Sequence, residues 1–332
     1  ANRAKAKGTV VYHLNIGQPD LATPEVALRA AHHLDREVLE YSPSEGILSF
    51  RKKLVEYYHK FNIDVCTDDI IITTGGSEAV FFSFMACLDP GDEIIVPEPA
   101  YANYMAFAIS SGAVIKTISS TIDEGFALPS VEKFEALITP RTKAILICNP
   151  NNPTGALYPK EVLEGIVEIA RQHHLIIFSD EIYDRLVMDG GEHISIASLA
   201  PDLFCVTFSG LSKSHMIAGF RIGWMILSGN KAIAQDYIEG IRMLSNMRLC
   251  SNVPAQSIVQ TALGGYQSVS NYLTPGGRIY EQRECIYQAL KDIPGLSVVK
   301  PKAAFYMFPK LDVRKFHITN DEQFALDLLR DK

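Results

Sequence analysis

The chain has 332 residues, of which 47% are hydrophobic and 21% charged, with 31 Lys+Arg against 38 Asp+Glu and a net charge of −7. That length can bury a sizeable core, and the ordinary globular balance excludes a disordered or collagen-like chain. The acidic excess argues against nucleic acid as a partner, since phosphate-binding proteins carry a basic surplus.

The densest basic stretch, Arg3, Lys5 and Lys7, reads as a solvated helix end. An apolar run from Val10 to Ile16 follows, then Gly17, a proline-marked turn and a helix. From about residue 69 to 228 short β-branched runs alternate with amphipathic stretches. The runs are centred on Ile70–Ile72, Glu93–Val96, Ala113–Ile115, Ala144–Ile147, Leu175–Phe178, Phe204–Phe208 and Gly223–Leu227. Each is continuously apolar, as in strands buried on both faces of a parallel sheet. Ser77–Leu88, Tyr101–Ser111, Ser130–Leu137 and Pro159–His173 are the intervening helices. The alternation predicts an α/β fold with a mainly parallel, seven-stranded sheet flanked by helices. After residue 278 come a long helix, the runs Leu296–Val299 and Ala304–Phe308, and an apolar-periodic tail. The expected organisation is a large domain over 46–277 and a smaller α+β domain built from both termini, 1–45 and 278–332.

No apolar run reaches the ~18 residues that span a bilayer; the longest, Ala79–Leu88, is broken by Ser83. There is no charged-then-apolar leader. The six cysteines are widely spaced without a CxxC pair, and four sit in apolar segments, as reduced core thiols do. A cytoplasmic protein without membrane or metal chemistry is the expectation.

Ligands of open α/β sheets bind at the carboxyl ends of strands, which is where the chemistry is sought. After Ile70–Ile72 stands Thr73-Thr74-Gly75-Gly76-Ser77-Glu78, where glycines, a hydroxyl and a helix start make either an anion site or a plain N-cap at Ser77. It lacks the GxGxxG of a dinucleotide site, and with it the case for a dehydrogenase. After Ala144–Ile147 stands Asn149-Pro150-Asn151-Asn152-Pro153-Thr154-Gly155, a turn or a rigid platform for an amide donor. After Leu175–Phe178 stands Asp180-Glu181-Ile182-Tyr183. An acid at a buried strand end faces a cation or strong donor, unless it merely caps a helix. After Phe204–Phe208 come Ser212-Lys213 and Gly219-Phe220-Arg221-Ile222-Gly223. A lysine among apolar neighbours suits Schiff-base chemistry, although a lone lysine is ordinarily a surface residue; Arg221 offers a forked phosphate donor. Together these groups match the needs of a phosphate-bearing pyridine aldehyde.

In Asn152-Pro153-Thr154-Gly155, Asp180-Glu181-Ile182-Tyr183 and Ser212-Lys213 with Gly219-Phe220-Arg221-Ile222-Gly223, the sequence resembles the class I/II aminotransferases of the fold-type I pyridoxal-phosphate superfamily. The resemblance covers essentially the whole chain. It implies that Lys213 bonds the aldehyde of pyridoxal 5'-phosphate and later shuttles the substrate proton. It implies that Asp180 holds the ring nitrogen protonated, that Asn152 and Tyr183 hydrogen-bond the ring oxygen, and that Tyr101 stacks on the ring. The implied phosphate cup is the backbone of Gly76, Ser77 and Glu78 with Ser212 and Arg221, completed by Tyr41 from the partner of a homodimer. Gly17 matches a turn near the substrate carboxylate, where Asn152 is also implied.

Gly210 replaces a phosphate-binding hydroxyl three residues before the lysine, leaving Ser209 or Ser212 as substitutes. Met216 is unusual after the lysine. No residue matches the family's carboxylate-binding arginine; Arg314 and Arg330 lack its context, and the small domain is expected to be incomplete beyond Lys332. Residues up to about Gly155 look like an aspartate-type enzyme. Those from Ala156, above all Met243–Gly277, look like bacterial glutamate–pyruvate enzymes. The implied reaction is ping-pong transfer of an amino group between an amino acid and a 2-oxo acid through pyridoxamine phosphate. Alanine with 2-oxoglutarate stands ahead of aspartate. A C–S lyase, a decarboxylase or a non-catalytic regulatory domain would share the same motifs.

Overall fold

A computed structural model describes residues 1–34, 37–264 and 266–331. After short α1 (Asn2–Lys5) come α2 (Glu25–His32) and α3 (Leu48–His59). The central unit runs β1 (Ile70–Thr74), α4 (Gly76–Cys87), β2 (Glu93–Glu98), α5 (Asn103–Ser111), β3 (Val114–Ser119), α6 (Val131–Glu135), β4 (Thr142–Cys148) and α7 (Lys160–His173). It continues with β5 (Ile176–Asp180), β6 (Phe204–Gly210), β7 (Ile222–Gly229) and α8 (Gln235–Arg248). Helices α9 (Val253–Ser257), α10 (Val259–Leu263) and α11 (Arg278–Lys291), the pair β8 (Leu296–Ser297) and β9 (Lys310–Leu311), and α12 (Asp321–Asp331) complete the order.

All seven expected strands join one sheet, in the order β1-β7-β6-β5-β4-β2-β3. Strand β7 runs antiparallel to both β1 and β6, and the remaining pairs are parallel. The continuous apolar runs have a direct cause, because alternate side chains enter separate cores on the two faces. Ile70, Ile72, Ile145, Ile147, Ile177 and Trp224 pack on one face with Phe50 and Leu54 of α3. Ile71, Leu146, Phe178, Val206, Met225 and Leu227 pack on the other with Phe84 of α4 and Ile241 of α8. Each such fully buried side chain contributes about 1.5–3 kcal/mol of transfer free energy, so the sheet is rigid and fixes its carboxyl edge.

The apolar runs of the terminal segments form little regular structure. Val10–Ile16 forms no strand, and Val10, Tyr12 and Leu14 are 72%, 81% and 93% exposed. Of the late apolar runs, Leu296–Ser297 pairs with Lys310–Leu311, whereas Ala304–Phe308 is irregular and only Ala303 bridges to Val187. A third cluster binds these parts to the sheet edge: Tyr183, Leu186 and Met216 pack with Val269, Leu273, Ile279 and Ala304. The cysteines are all free, but Cys148 and Cys205 alone are fully buried; Cys66 and Cys285 are exposed. The run Ala79–Leu88 is helix α4 with its cap rather than a membrane segment, and no helix among the described residues is long and apolar enough to cross a membrane.

Candidate active site

The carboxyl ends of β1, β4, β5 and β6 border a cavity of about 580 Å³. Ten of the residues singled out above line it: Gly17, Gly76, Ser77, Tyr101, Asn152, Asp180, Tyr183, Ser212, Lys213 and Arg221. Glu78 and Tyr41 do not. The Glu78 carboxylate turns back to accept from the Thr74 amide at 2.8 Å and pairs with Arg248. Tyr41 is 76% exposed.

The anion cradle is built by close backbone packing. Gly75, with φ of +79°, is the N-cap of α4, so Ser77 lies inside the first turn and is not the cap. The first amides of α4 therefore face outward without intrahelical partners, as helix starts must. A Cβ on Gly75 would stand 2.2 Å from Arg221 Nη2, and one on Gly223 would stand 2.5 Å from the Gly76 amide nitrogen. Glycine at both positions lets the helix start, the β7 start and the guanidinium converge. Arg221 itself adopts φ of +55° and donates to the Ala218 carbonyl at 2.9 Å and to Ser212 Oγ at 3.5 Å. Between the two serines offered for the missing hydroxyl, Ser212 lines the cavity and Ser209 is buried in β6 outside it. Gly210 has its own reason: a Cβ there would lie 2.6 Å from the Ile222 carbonyl oxygen.

Asp180, the last residue of β5, accepts from the Ile182 amide at 3.2 Å and from the Tyr104 hydroxyl at 2.6 Å. Burial pushes its carboxyl above the usual carboxylate range, against the pull of the Tyr104 hydrogen bond. Lys213 donates to the Gly17 carbonyl. Burial lowers its amine below the ordinary lysine value, reinforced by the charge of Arg221 and opposed by that of Asp180. Tyr183 accepts from Asn152 Nδ2 at 3.4 Å and shares a 2.6 Å hydrogen bond with Tyr306, and burial pushes its hydroxyl well above the usual value.

Among the lining residues that the sequence did not single out are two tyrosines, Tyr104 and Tyr306. Tyr104 reads as a core aromatic of α5, and only its register three residues after Tyr101 hints that it shares a face with it. Tyr306 comes from an irregular segment and carries no sequence signal. Arg314 and Arg330 are not among the lining residues, and Arg330 pairs with Asp327 one turn back. Met216, unusual in sequence, adopts φ of +56°, and its carbonyl accepts from Thr23.

Taken together, the cavity holds a depressed amine, a carboxylate supported by two donors, a phenol with an amide donor, and a guanidinium beside a helix start. Known proteins are similar to this chain along nearly its whole length. The glutamate–pyruvate aminotransferase AlaA of Escherichia coli K12 is 48% identical over 335 residues, covering 99% of this chain and 82% of its own length. The alanine aminotransferase of Mycobacterium bovis is 42% identical, covering 99% and 78%. The crystal structure of an aminotransferase from Escherichia coli superposes with a TM-score of 0.96 at 47% identity, covering 99% and 82%. These matches run through both halves of the chain. The family model for aminotransferase class I and II spans residues 9–332, and the chain belongs to that family.

Proposed function

We propose that this chain is a pyridoxal-phosphate-dependent aminotransferase that exchanges the amino group of alanine with 2-oxoglutarate. The observation that carries the cofactor is the donor set: one cavity opposes the amine of Lys213 and the carboxylate of Asp180, with Arg221 and the α4 start nearby. The cradle has the fit of a phosphate site, because the glycines at 75 and 223 bring peptide N–H groups and a guanidinium together where any Cβ would intrude. The preference for alanine over aspartate rests on the names of the relatives at 48% and 42% identity.

When bound, the cofactor supplies an aldehyde and an electron-withdrawing pyridine ring. Gly76, Ser77, Ser212 and Arg221 would hold the phosphate, with the Glu78 amide contributing from the same turn. Asp180 would accept the ring-nitrogen hydrogen bond and keep a proton there, Asn152 and Tyr183 would donate to the ring oxygen, and Tyr101 would cover the ring face. Lys213, neutral at a lower pH than an exposed lysine, would be the amine that holds the cofactor covalently and afterwards the base that moves the substrate Cα proton. Gly17 and Asn152 would border the substrate carboxylate. Gly17 and Tyr306 belong to the two terminal segments, which supports reading 1–45 and 278–332 as a small domain closing on 46–277.

A homodimer is part of this reading. Tyr12, Leu14, Tyr41 and Met247 are each more than two-thirds exposed, apolar surface that a second copy of the chain would cover. Tyr41 would then reach the partner's phosphate.

The test is a half-reaction. Adding alanine alone to the holo-protein should convert the aldehyde form to the amine form and release one equivalent of pyruvate, reversed by 2-oxoglutarate. Pyruvate and ammonia released catalytically without the amine form would overturn the reading in favour of a lyase. Lys213→Ala should bind cofactor without covalent attachment and lose turnover.

A further inference from the structure

Tyr306 enters the cavity from a stretch without regular secondary structure, yet it is firmly held. The Lys302 and Ala303 amides donate to the Gly155 carbonyl at 3.0 and 3.1 Å, just past the Asn152 turn. The Ala304 amide donates to the Leu186 carbonyl at 2.8 Å, one turn past Tyr183. The same chain segment is thus tied to the two elements that carry Asn152 and Tyr183. On its other side Tyr306 fills the space over Gly17, where a Cβ would lie 1.7 Å from its Oη and 2.6 Å from its Cζ. Its ring stands edge-on to Tyr183 at 5.6 Å and 80°, and the two hydroxyl oxygens are 2.6 Å apart.

Counting hydrogens fixes a direction for that contact. A tyrosine hydroxyl has one hydrogen to give and two lone pairs to receive with, and an amide nitrogen can only give. Asn152 Nδ2 therefore donates to Tyr183. If the single hydrogen of Tyr183 goes to the cofactor ring oxygen, as the proposed function requires, the hydrogen between the two tyrosines must come from Tyr306. We propose that Tyr306 is a positioning residue for this reaction: it donates to Tyr183 Oη and so aims and strengthens the Tyr183 O–H toward the cofactor. The inference rests on the cofactor reading given above.

A hydroxyl that already accepts two hydrogen bonds is polarised and donates more strongly. Without Tyr306's hydrogen, Tyr183 stabilises negative charge on the ring oxygen less well. The neighbouring nitrogen joining Lys213 to the cofactor then holds its proton more tightly, and its titration midpoint moves up.

The experiment is an absorbance titration of the lysine-bound cofactor in the reconstituted full chain, with a double-mutant cycle. Tyr306→Phe keeps the ring that covers Gly17 and removes one hydroxyl. The expected result is a midpoint raised by roughly half a pH unit, the scale of one modest neutral hydrogen bond. Tyr183→Phe should raise it further, and Tyr306→Phe added to Tyr183→Phe should then move it no more. An unmoved midpoint in Tyr306→Phe, or the same shift with and without the Tyr183 hydroxyl, overturns the positioning role. A wild-type protein that develops no pH-dependent band with pyridoxal phosphate overturns the cofactor reading, and this inference with it.

Discussion

Tyr104 gives its hydroxyl hydrogen to Asp180 Oδ2 across 2.6 Å. The pairing joins a residue of α5 that looks like core to the acid at the end of β5. Tyr104 is 1% exposed, so its hydroxyl has to find a buried partner, and Asp180 needs donors to remain ionised in a desolvated setting. Each group answers the other's requirement. Tyr104→Phe should leave the ring packing intact while raising the Asp180 carboxyl further above its ordinary range. A hydrogen bond to a charged group is worth about 1.5–3 kcal/mol, so kcat should fall roughly 10- to 100-fold through loss of proton-holding at the ring nitrogen. Steady-state kinetics and cofactor Kd check this; unchanged values of both would reduce Tyr104 to a packing role.

How much of this was legible in the sequence depends on the distance over which each signal acts. The seven strands were readable because two-faced burial demands unbroken apolar runs, a property of a few adjacent residues. Asp180, Lys213 and Asn152 stood out because polar groups at the ends of such runs are costly without a purpose. Tyr104 and Tyr306 did not, because an aromatic side chain looks the same whether it is core or site, and their partners lie 76 and 123 residues away. The apolar run Ala304–Phe308 joins no ladder: the Ala304 amide donates to the Leu186 carbonyl, and Lys302 and Ala303 just before it donate to the Gly155 carbonyl. Glu78 adds a long-range detail: its backbone place in the helix start is visible in the sequence, whereas the ion pair of its carboxylate with Arg248, 170 residues away, is not.

The approach of β7 to the α4 start predicts an unusually sensitive glycine. A Cβ on Gly223 would meet the Gly75 carbonyl carbon at 2.3 Å and the Gly76 nitrogen at 2.5 Å, both backbone atoms within the sheet edge. Backbone cannot rotate aside as a side chain can. Gly223→Ala should destabilise the protein by about 1–3 kcal/mol, the range for overpacking, and weaken binding of inorganic phosphate and cofactor together. Chemical denaturation and phosphate titration of the same variant test the two halves. A variant with lowered stability and unaltered phosphate affinity would separate the packing from the cradle.

Arg221 has a second consequence beyond phosphate binding, because its positive charge helps to depress the Lys213 amine. Replacing it with Gln removes that repulsion while burial and Asp180 remain, so the Lys213 value should rise. Pyridoxal, which lacks the phosphate, is the suitable probe, since its capture does not require the guanidinium. In Arg221→Gln the pH at which pyridoxal reacts half-maximally with Lys213 should move to higher pH. A shift to lower pH would show that Arg221 acts on Lys213 by some route other than charge.

Two buried histidines should respond to acid in opposite ways. His215, two residues after Lys213, has Nε2 within 3.0 Å of the Ala262 carbonyl and of Gln267 and within 3.4 Å of Arg185, while Nδ1 meets Ser214 at 2.8 Å. Burial first, and the Arg185 charge second, push it down to about 4. The folded protein therefore binds fewer protons than the unfolded chain between pH 4 and 6.5, and stability falls as pH drops through that window. The full difference amounts to about 3 kcal/mol. His193 sits against Glu181 at 3.1 Å, and that carboxylate, outweighing burial, holds it above the ordinary histidine value. Its contribution is complete below pH 6.5 and is lost as pH rises past its folded value, so it adds no slope on the acid side. Urea midpoints measured between pH 7 and 4 should therefore decline in the parent chain. The unfolding free energy derived from them should decline by about 3 kcal/mol less in His215→Asn, which keeps a polar side chain without the titration. His193→Gln should retain the acid slope and lose stability mainly below its folded value, where the ion pair with Glu181 is formed. An acid slope that survives His215→Asn unchanged would place the titrating group elsewhere.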